Sequence, residues 1–240
     1  MKAVLITGGS RGIGAAMVKA FTAAGCKVAF LYRKNEEAAK SVQEQTGALG
    51  LQCDVTDFTA LSETVRAAKM YLEVPYFDTL ICNAGISAGG LFLETTEEQW
   101  KDILSTNLNG CIYAAQALLP AMIENKAGSV VMVSSVWGQT GASCEVAYSV
   151  SKAAVIGLTK SLAKEVALSG VRVNCIAPGV IDTEMNSCYS KEDMEALAED
   201  IPLGRIGTAE EAAEAAVFLA SEKASYITGQ ILGVNGGFYI

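Results

Sequence analysis

The sequence contains no histidine. This absence excludes imidazole metal ligands, Ser-His or Cys-His nucleophile pairs and a histidine acid/base. Any proton that the protein transfers must therefore come from tyrosine, lysine, cysteine or a carboxyl group. The seven cysteines are scattered singly without a C-x-x-C pair, so we expect no metal site and no disulfide framework. They are typical of small buried hydrophobic residues in a reducing compartment.

The chain also lacks long apolar runs and an excess of basic residues. No stretch approaches the roughly 20 apolar residues that a bilayer span needs, and no cleavage-type segment precedes the first glycine-rich turn. The sequence therefore predicts a cytoplasmic protein without a membrane partner. The formal net charge of −8 argues against nucleic-acid binding, because nucleic acids attract basic surfaces. Without a linker, repeat or low-complexity tract, residues 1–240 are expected to form a single domain.

Short apolar runs alternate with longer amphipathic stretches throughout the chain. This alternation predicts a Rossmann-type α/β fold, a doubly wound parallel sheet of seven strands with helices on both faces. The strands are expected near residues 3–6, 27–32, 50–53, 79–82, 129–134, 171–177 and 230–234. The helices are expected near residues 12–24, 35–46, 57–73, 97–124, 146–168, 190–200 and 208–221, the last beginning with a capping box of Thr208 and Glu211.

One further segment, at about residues 178–202, begins with a loop that has no strong periodicity. It is either an ordinary surface loop or a mobile lid over a substrate.

A glycine-rich turn lies between the first strand and the first helix. In this context, glycines bring backbone N–H groups against a pyrophosphate, so the turn predicts nucleotide binding. Its candidate contacts are Gly8, Ser10, Arg11, Gly12, Ile13 and Gly14. Further cofactor contacts are expected where the third and fourth strands end, because ligands of such sheets lie at this edge. These candidates are Asp54, Val55, Asn83, Ala84 and Gly85.

The end of the second strand indicates which dinucleotide is bound. NAD-preferring sites usually place an acidic residue there to bond the ribose 2′-OH, but this sequence reads Leu31-Tyr32-Arg33-Lys34. Since Arg33 and Arg11 could grip a 2′-phosphate, the sequence favours NADP(H) over NAD(H). The alternative is that Arg33 and Lys34 are ordinary solvated charges.

Tyr148 and Lys152 are four residues apart, which places them on one face of the predicted helix. An ammonium beside a tyrosine stabilises its phenolate, and this makes the hydroxyl a usable general acid/base. Such a pair also arises by chance on helix surfaces. Ser135, at the end of the fifth strand, favours the catalytic interpretation, because its hydroxyl could bond a substrate oxygen that becomes negative. Asn107 could hold a water that extends the proton route from Lys152.

These motifs, in this order, make essentially all 240 residues resemble the short-chain dehydrogenase/reductase family. The matching pieces are Thr7-Gly8-x-x-x-Gly12-x-Gly14, Asp54, Asn83-Ala84-Gly85, Asn107, Ser135, Tyr148-x-x-x-Lys152, Pro178-Gly179 and Val234-Asn235-Gly236-Gly237. Cys82 departs from the pattern, since many members have a second asparagine there. Enoyl reductases of this fold separate tyrosine and lysine by seven residues, but here that position is Val155.

The resemblance implies an Asn-Ser-Tyr-Lys tetrad, in which hydride passes to the substrate carbon while Tyr148 protonates the oxygen. It also implies a homotetramer, assembled through the helices at 97–124 and 146–168 and through the last strand. Its implied cofactor contacts are Tyr148, Lys152, Pro178, Gly179, Ile181 and Thr183.

Two narrower resemblances concern the carbonyl substrate. The pattern of the whole chain, including residues 224–230, is similar to that of 3-oxoacyl-[acyl-carrier-protein] reductases. However, Ser129 and Ser169 stand where such enzymes commonly have arginines that dock the acidic carrier, which weakens this hypothesis. Residues 135–146 resemble the bacterial reductases that convert a 5-aminopentanone group on a lysine of elongation factor P to the alcohol.

The second resemblance has a chemical reason in Glu145, whose carboxylate could pair with a substrate ammonium. Glu145 could equally be a carboxylate that favours a helix N-terminus. Trp137 and Gln139 are further candidate substrate contacts, although an aromatic side chain there could be packing. A sensor that binds NADP without turnover is the alternative function, and the intact set of Ser135, Tyr148 and Lys152 argues against it.

Overall fold

All seven strands form one parallel sheet in the computed structural model, which describes residues 2–186 and 190–240. The order across the sheet is β3-β2-β1-β4-β5-β6-β7. The strands are β1 Ala3–Thr7, β2 Lys27–Tyr32, β3 Leu49–Gln52, β4 Thr79–Cys82, β5 Gly128–Val133, β6 Val171–Pro178 and β7 Ile231–Val234. The predicted Rossmann-type doubly wound α/β fold is confirmed.

Nine α-helices lie in the described part of the chain. They are α1 Gly12–Ala23, α2 Glu36–Thr46, α3 Phe58–Leu72, α4 Glu97–Leu104, α5 Gly110–Glu124, α6 Trp137–Thr140, α7 Val146–Val166, α8 Lys191–Glu199 and α9 Ala209–Ala220. Polar N-caps set several of the helix starts, because Asn35 and Asp57 accept bonds from backbone amides in the first turns of α2 and α3. The predicted capping box of Thr208 and Glu211 is present in α9.

Two local features differ from the predicted elements. The single helix expected at 97–124 is interrupted by a π-helical turn, Ser105–Asn109, between α4 and α5. The apolar periodicity continues on both sides of this turn, so the extra residue leaves little trace in the sequence pattern. The short helix α6 was missed, since four residues are too few to display a helical period.

The sheet is covered on both faces, and alternate residues of one strand serve the two faces. In β1, Val4 and Ile6 pack in one apolar cluster, while Ala3 and Leu5 pack in the other. Four cysteines are buried as expected, namely Cys53, Cys82, Cys111 and Cys175. The same expectation is wrong for Cys144, which is exposed, and Cys188 lies outside the described residues.

The strand order places the ends of β1 and β4 side by side at the middle of the sheet. This is the topological switch point, where the order of successive strands reverses its direction across the sheet. The loops after β1, β3, β4, β5 and β6 consequently meet along the carboxyl edge. Helix α8 falls within the segment predicted as a lid, and its movement stays a prediction. No helix in the described residues is both long and apolar enough to cross a bilayer.

Candidate active site

The glycine-rich turn after β1 has a backbone that only glycine adopts easily. Gly8 and Gly12 have φ angles of +69° and +52°. A Cβ on Gly14 would lie 2.0 Å from the carbonyl oxygen of Gly8, so the turn could not close around a larger residue. Arg11, the N-cap of α1, makes no side-chain bond to the first amides of the helix. The N-terminus of α1 therefore has no side-chain cap and directly follows the glycine-rich turn. This arrangement fits the pyrophosphate of a nicotinamide dinucleotide.

The turn is joined to the loop after β4 by Thr7 and Asn83. The hydroxyl oxygen of Thr7 accepts bonds of 3.0 Å from the backbone amides of Asn83 and Ala84. The side-chain amide of Asn83 donates to the carbonyl of Gly8 at 2.9 Å. Thr7 was not among the predicted site residues, although a hydroxyl at the end of a buried strand, directly before the turn, could have indicated this role.

At the end of β2, Arg33 faces Asp54 across a distance of 3.6 Å between Nε and Oδ2. Asp54 is held by Thr56, whose amide and hydroxyl both donate to its Oδ1. Arg11 similarly lies 3.5 Å from a carboxylate oxygen of Glu184. The Arg33 pair is about half exposed and the Arg11 pair is largely exposed, so both are weak and either arginine can exchange its carboxylate for a phosphate.

The remaining predicted cofactor contacts are divided between the turn, the core and the end of β6. Ser10 lies in the turn and Ile13 in the first turn of α1. Val55 is buried, and a Cβ on Gly110 would lie 2.7 Å from its side chain, so Val55 also supports the packing of α5.

The segment after β6 lies against the glycine turn. The methyl group of Thr183 would lie 3.4 Å from a Cβ on Gly12. Ile181 is buried and pairs with Gly207. Pro178 accepts a bond of 2.8 Å from the amide of Val136, and Gly179 donates to Val234 at 3.0 Å. The structure thus brings these predicted contacts to the carboxyl edge, beside the turn.

Lys152 is a buried cation on α7, with only 4% of its surface exposed. Its ammonium donates to the carbonyl of Val133 at 2.9 Å and lies 5.7 Å from the ring centroid of Tyr148. The hydroxyl of Ser134 fixes the same turn of α7 by donating to the Lys152 carbonyl at 2.8 Å. Sequence reasoning missed Ser134, although it is adjacent to the predicted Ser135. The predicted proximity of Tyr148 and Lys152 agrees with this geometry.

Ser135 and Tyr148 both keep hydroxyl hydrogens for a substrate. The oxygen of Ser135 accepts a bond of 3.2 Å from the amide of Trp137, which leaves its hydrogen free to be donated. Within the described residues, no group hydrogen-bonds the Tyr148 hydroxyl. A carbonyl oxygen between them could therefore accept two hydrogen bonds.

Asn107 is fully buried in the π turn and connects two parts of the site. Its side-chain amide donates to the Ile86 carbonyl and to the Ser151 hydroxyl, both at 2.9 Å, and its oxygen accepts from the Ile86 amide at 2.8 Å. A Cβ on Gly85 would lie 3.2 Å from the Lys152 ammonium and 3.3 Å from Oδ1 of Asn107. Gly85 therefore leaves the space between these two polar groups open.

The predicted substrate residues occupy different places. Glu145 accepts a hydrogen bond of 2.5 Å from Ser87, a residue that sequence reasoning missed. Trp137 packs edge-on against Phe238, with ring centroids 5.6 Å apart. Gln139 lines a cleft of about 760 Å³ that also includes Ile181, and its side-chain oxygen is buried without a hydrogen-bond partner in the described residues. Glu145 thus lies directly before α7, the helix that carries Tyr148, whereas Gln139 lines a cleft next to Ile181.

The arrangement can perform acid/base chemistry at a carbon–oxygen bond. A bound nicotinamide dinucleotide would supply or accept the hydride. In the reductive direction, Tyr148 would donate its proton to the substrate oxygen, and the Lys152 ammonium would stabilise the phenolate that remains. Ser135 would donate a hydrogen bond to the same oxygen as negative charge develops on it.

Comparisons with known proteins agree with this geometry. A short-chain dehydrogenase family model, described as enoyl-(acyl carrier protein) reductase, matches residues 8–239. The uncharacterised oxidoreductase YmfI of Bacillus subtilis is 40% identical over 240 residues, which cover 99% of each chain. Acetoacetyl-CoA reductase of Rhizobium meliloti is 41% identical over 239 residues, covering 99% of this chain and 98% of the relative.

A third relative, 3-oxoacyl-[acyl-carrier-protein] reductase FabG of Escherichia coli, is 38% identical over 241 residues, which cover 100% of this chain and 98% of that protein. The similarity therefore extends over the whole chain and includes every element that builds the site. The chain belongs to the short-chain dehydrogenase/reductase family, as an oxidoreductase that acts on carbonyl or hydroxyl groups with a nicotinamide cofactor.

Proposed function

We propose that this protein is an NADPH-dependent ketoreductase, which reduces a ketone to a secondary alcohol. The observation that carries the proposal is the set of Ser135, Tyr148 and the buried Lys152, with both hydroxyls available to a carbonyl oxygen. The four-residue spacing of Tyr148 and Lys152 favours a ketone over an enoyl substrate. Two of the relatives are named as reductases of acetoacetyl-CoA and of 3-oxoacyl groups on acyl carrier protein, which supports the same reaction.

The preference for NADPH depends on Arg33. Its only ionic partner in the described structure is Asp54, at 3.6 Å and half exposed, and a 2′-phosphate carries more charge than this carboxylate. We expect Arg33→Ser to lower the ratio of kcat/KM with NADPH to that with NADH by about tenfold, since one charge-assisted bond of ordinary strength is lost. Arg66→Ser, at an exposed position on α3, is the matched control and should leave the ratio unchanged. An unchanged ratio in Arg33→Ser would leave NADPH preference without its structural basis.

Two substrate classes fit the site. A 3-oxoacyl thioester is supported by the named relatives, and an acyl carrier protein would then deliver it. An amine-bearing ketone, such as the aminopentanone group on elongation factor P, is supported by Glu145. This carboxylate is partly buried and hydrogen-bonded by Ser87, and within the described residues it has no cationic partner. A substrate ammonium would supply the missing positive charge.

The position of Ser129 also bears on the choice of substrate. Ser129 is buried on β5, so it presents no charge to an acidic carrier. Arg172, the cation nearest in the sheet register, donates instead to the carbonyls of Leu219, Ala220 and Ser221 at the end of α9. These features favour the amine-bearing ketone.

The decisive assay follows NADPH oxidation with acetoacetyl thioesters and with ω-amino ketones, using wild-type protein and Glu145→Gln. If Glu145 binds an ammonium, the substitution should raise KM for the amino ketone by about tenfold and leave KM for the thioester almost unchanged. Ser87→Ala is the companion variant, which frees the carboxylate without removing its charge and should have a smaller effect. Equal changes in KM for both substrates would exclude the recognition role of Glu145.

We further propose that the protein is a homotetramer, assembled through α4, α5 and α7 and through the edge strand β7. The partly exposed apolar side chains Ile123 on α5, Val150 on α7 and Leu232 on β7 support these surfaces. Light scattering should give the mass of four chains, and Val150→Asp together with Leu232→Asp should reduce it. A monomeric wild-type protein would contradict the assembly.

A sensor that binds NADP(H) without turnover is the second candidate function. No feature of the described structure favours it over the enzyme, because the tyrosine, serine and lysine are all in place.

A further inference from the structure

The backbone carbonyl of Asn107, within the π turn at Ser105–Asn109, accepts a hydrogen bond from a side chain. In a regular α-helix, each carbonyl accepts from the amide four residues further on, but in a π turn the partner lies five residues on. The amide of Gly110 shows this shift, because it bonds to the carbonyl of Ser105. Four residues after Asn107 comes Cys111, and its thiol, with Sγ at 3.1 Å, donates to the Asn107 carbonyl.

A second thiol lies behind the first. Cys82, at the end of β4, is buried and approaches the carbonyl of Cys111 with its Sγ at 3.9 Å. A hydrogen bond with the Cys111 thiol, together with burial, raises the pKa of Cys82 well above its ordinary value. Cys82 is therefore a neutral thiol. Together the two cysteines connect the end of β4 to the first turn of α5, next to Asn107.

The position of Asn107 depends on the register of this turn. In the register of the π turn, its side chain bonds both Ile86 and Ser151. Conversion to a regular α-helix would rotate one side of the turn by about 100° relative to the other, because an α-helix has 3.6 residues per turn. The Asn107 amide would then leave both partners and the neighbourhood of Lys152.

We propose that Cys111 is a positioning residue, whose thiol holds the Asn107 carbonyl and thereby maintains the π turn that keeps Asn107 beside Lys152. The kinetic side of this inference rests on the proposed ketoreductase activity. The structural side does not, because it concerns where Asn107 is held.

The test compares two substitutions of Cys111 that differ in hydrogen-bonding capacity. Cys111→Val removes the donor, and Cys111→Ser keeps one. We expect Cys111→Val to lower kcat about fivefold, the factor that corresponds to one ordinary hydrogen bond, with KM for the ketone and the affinity for NADPH unchanged. Cys111→Ser should retain most of the activity. Cys175→Val is the matched control, since Cys175 is equally buried but its thiol donates to Ile176 in its own strand.

A measurement without turnover separates this proposal from the proposed function. The Ile86 amide donates to Oδ1 of Asn107, so its hydrogen exchange reports whether Asn107 is in place. After correction for any change in global stability, the exchange rate of the Ile86 amide should be about fivefold higher in Cys111→Val than in the wild type. In Cys111→Ser the corrected rate should be unchanged. If it does so while wild-type protein reduces no ketone, the positioning role stands and the proposed function fails.

Three outcomes would overturn the positioning role. The first is a wild-type kcat together with wild-type exchange at Ile86 in Cys111→Val. The second is an equal loss of kcat in Cys111→Val and Cys111→Ser. The third is a loss of kcat in Cys175→Val as large as that in Cys111→Val. If Cys111→Val does not fold, Cys111→Ala takes its place, with the same expected pattern against Cys111→Ser.

Discussion

The floor of the active site and its rim are held in different ways. The floor, which we define as Asn107, Ser135 and Lys152, is buried, and each of its side chains bonds to the backbone of another segment or of its own turn. The rim, defined as Ser87, Glu145 and residues 91–93, is partly or largely exposed. Its main polar contact joins two side chains, and Leu93 is 93% exposed.

This difference indicates where the reaction and its specificity are determined. Groups that are anchored to backbone cannot move without disturbing strands or helices, so in the proposed reaction the floor would fix the geometry of proton transfer. Side chains on the rim can be exchanged without disturbing the sheet. We therefore expect changes on the floor to lower kcat and changes on the rim to alter KM and substrate choice.

The largest effect is expected for Tyr148→Phe, which removes the proton donor but keeps the ring above Lys152. We expect kcat to fall by about 10² to 10⁴, the usual contribution of a positioned general acid. Binding of NADPH, measured by fluorescence titration, should remain close to that of the wild type. Substantial turnover in this variant would show that Tyr148 does not supply the proton. Absence of turnover in both the wild type and the variant would favour the sensor.

A pair of glycine substitutions compares floor and rim directly. A Cβ on Gly85 would enter the space between Lys152 and Asn107, at 3.2 and 3.3 Å, whereas a Cβ on Gly89 would meet Glu145 only at 3.5 Å, an ordinary contact. We expect Gly85→Ala to lower kcat by about tenfold to a hundredfold, because small displacements of catalytic groups have such effects. Gly89→Ala should change kcat less than about twofold.

Steady-state kinetics of these two variants, with melting curves as a check on folding, measure the contrast. A common loss of kcat in both would mean that the rim is as tightly coupled to the chemistry as the floor. Gly157→Ala, at a position in α7 where a Cβ meets nothing within 4 Å, controls for the effect of the methyl group itself.

The same contrast explains what the sequence could predict. Tyr148, Lys152 and the glycine turn were predictable because each motif is local, and a strand or a helix converts its spacing directly into a geometry. The bond from Ser87 to Glu145 joins residues 58 positions apart, and no pattern in the sequence records it. The thiol of Cys111 gains its role only through the π turn, which apolar periodicity does not reveal. The boundaries of most strands were predicted within a residue because buried parallel strands are short apolar runs.

The smallest effect concerns an exposed ion pair beyond the rim, where Arg205 binds Glu211 at the start of α9. Two hydrogen bonds join the pair, at 2.6 and 2.9 Å, and Glu211 also accepts from the amide of Thr208. The bonds with Arg205, and then with the Thr208 backbone, lower the pKa of Glu211 from 4.5 to about 2. Since the pKa is lower in the folded protein, the carboxylate stabilises the fold above pH 4.5, and this contribution is lost as the pH falls towards 2.

Glu211→Gln should therefore melt at a lower temperature than the wild type at neutral pH, by a difference that narrows steadily below pH 4.5. Its kcat at neutral pH should be unchanged, because the pair touches neither the floor nor the rim. Glu210→Gln is the matched control, since Glu210 forms no ion pair in the described part of the chain and should melt like the wild type. A difference in melting temperature that is constant down to pH 3 would contradict the lowered pKa of Glu211. A loss of kcat in Glu211→Gln would show that the N-terminus of α9 contributes to the active site.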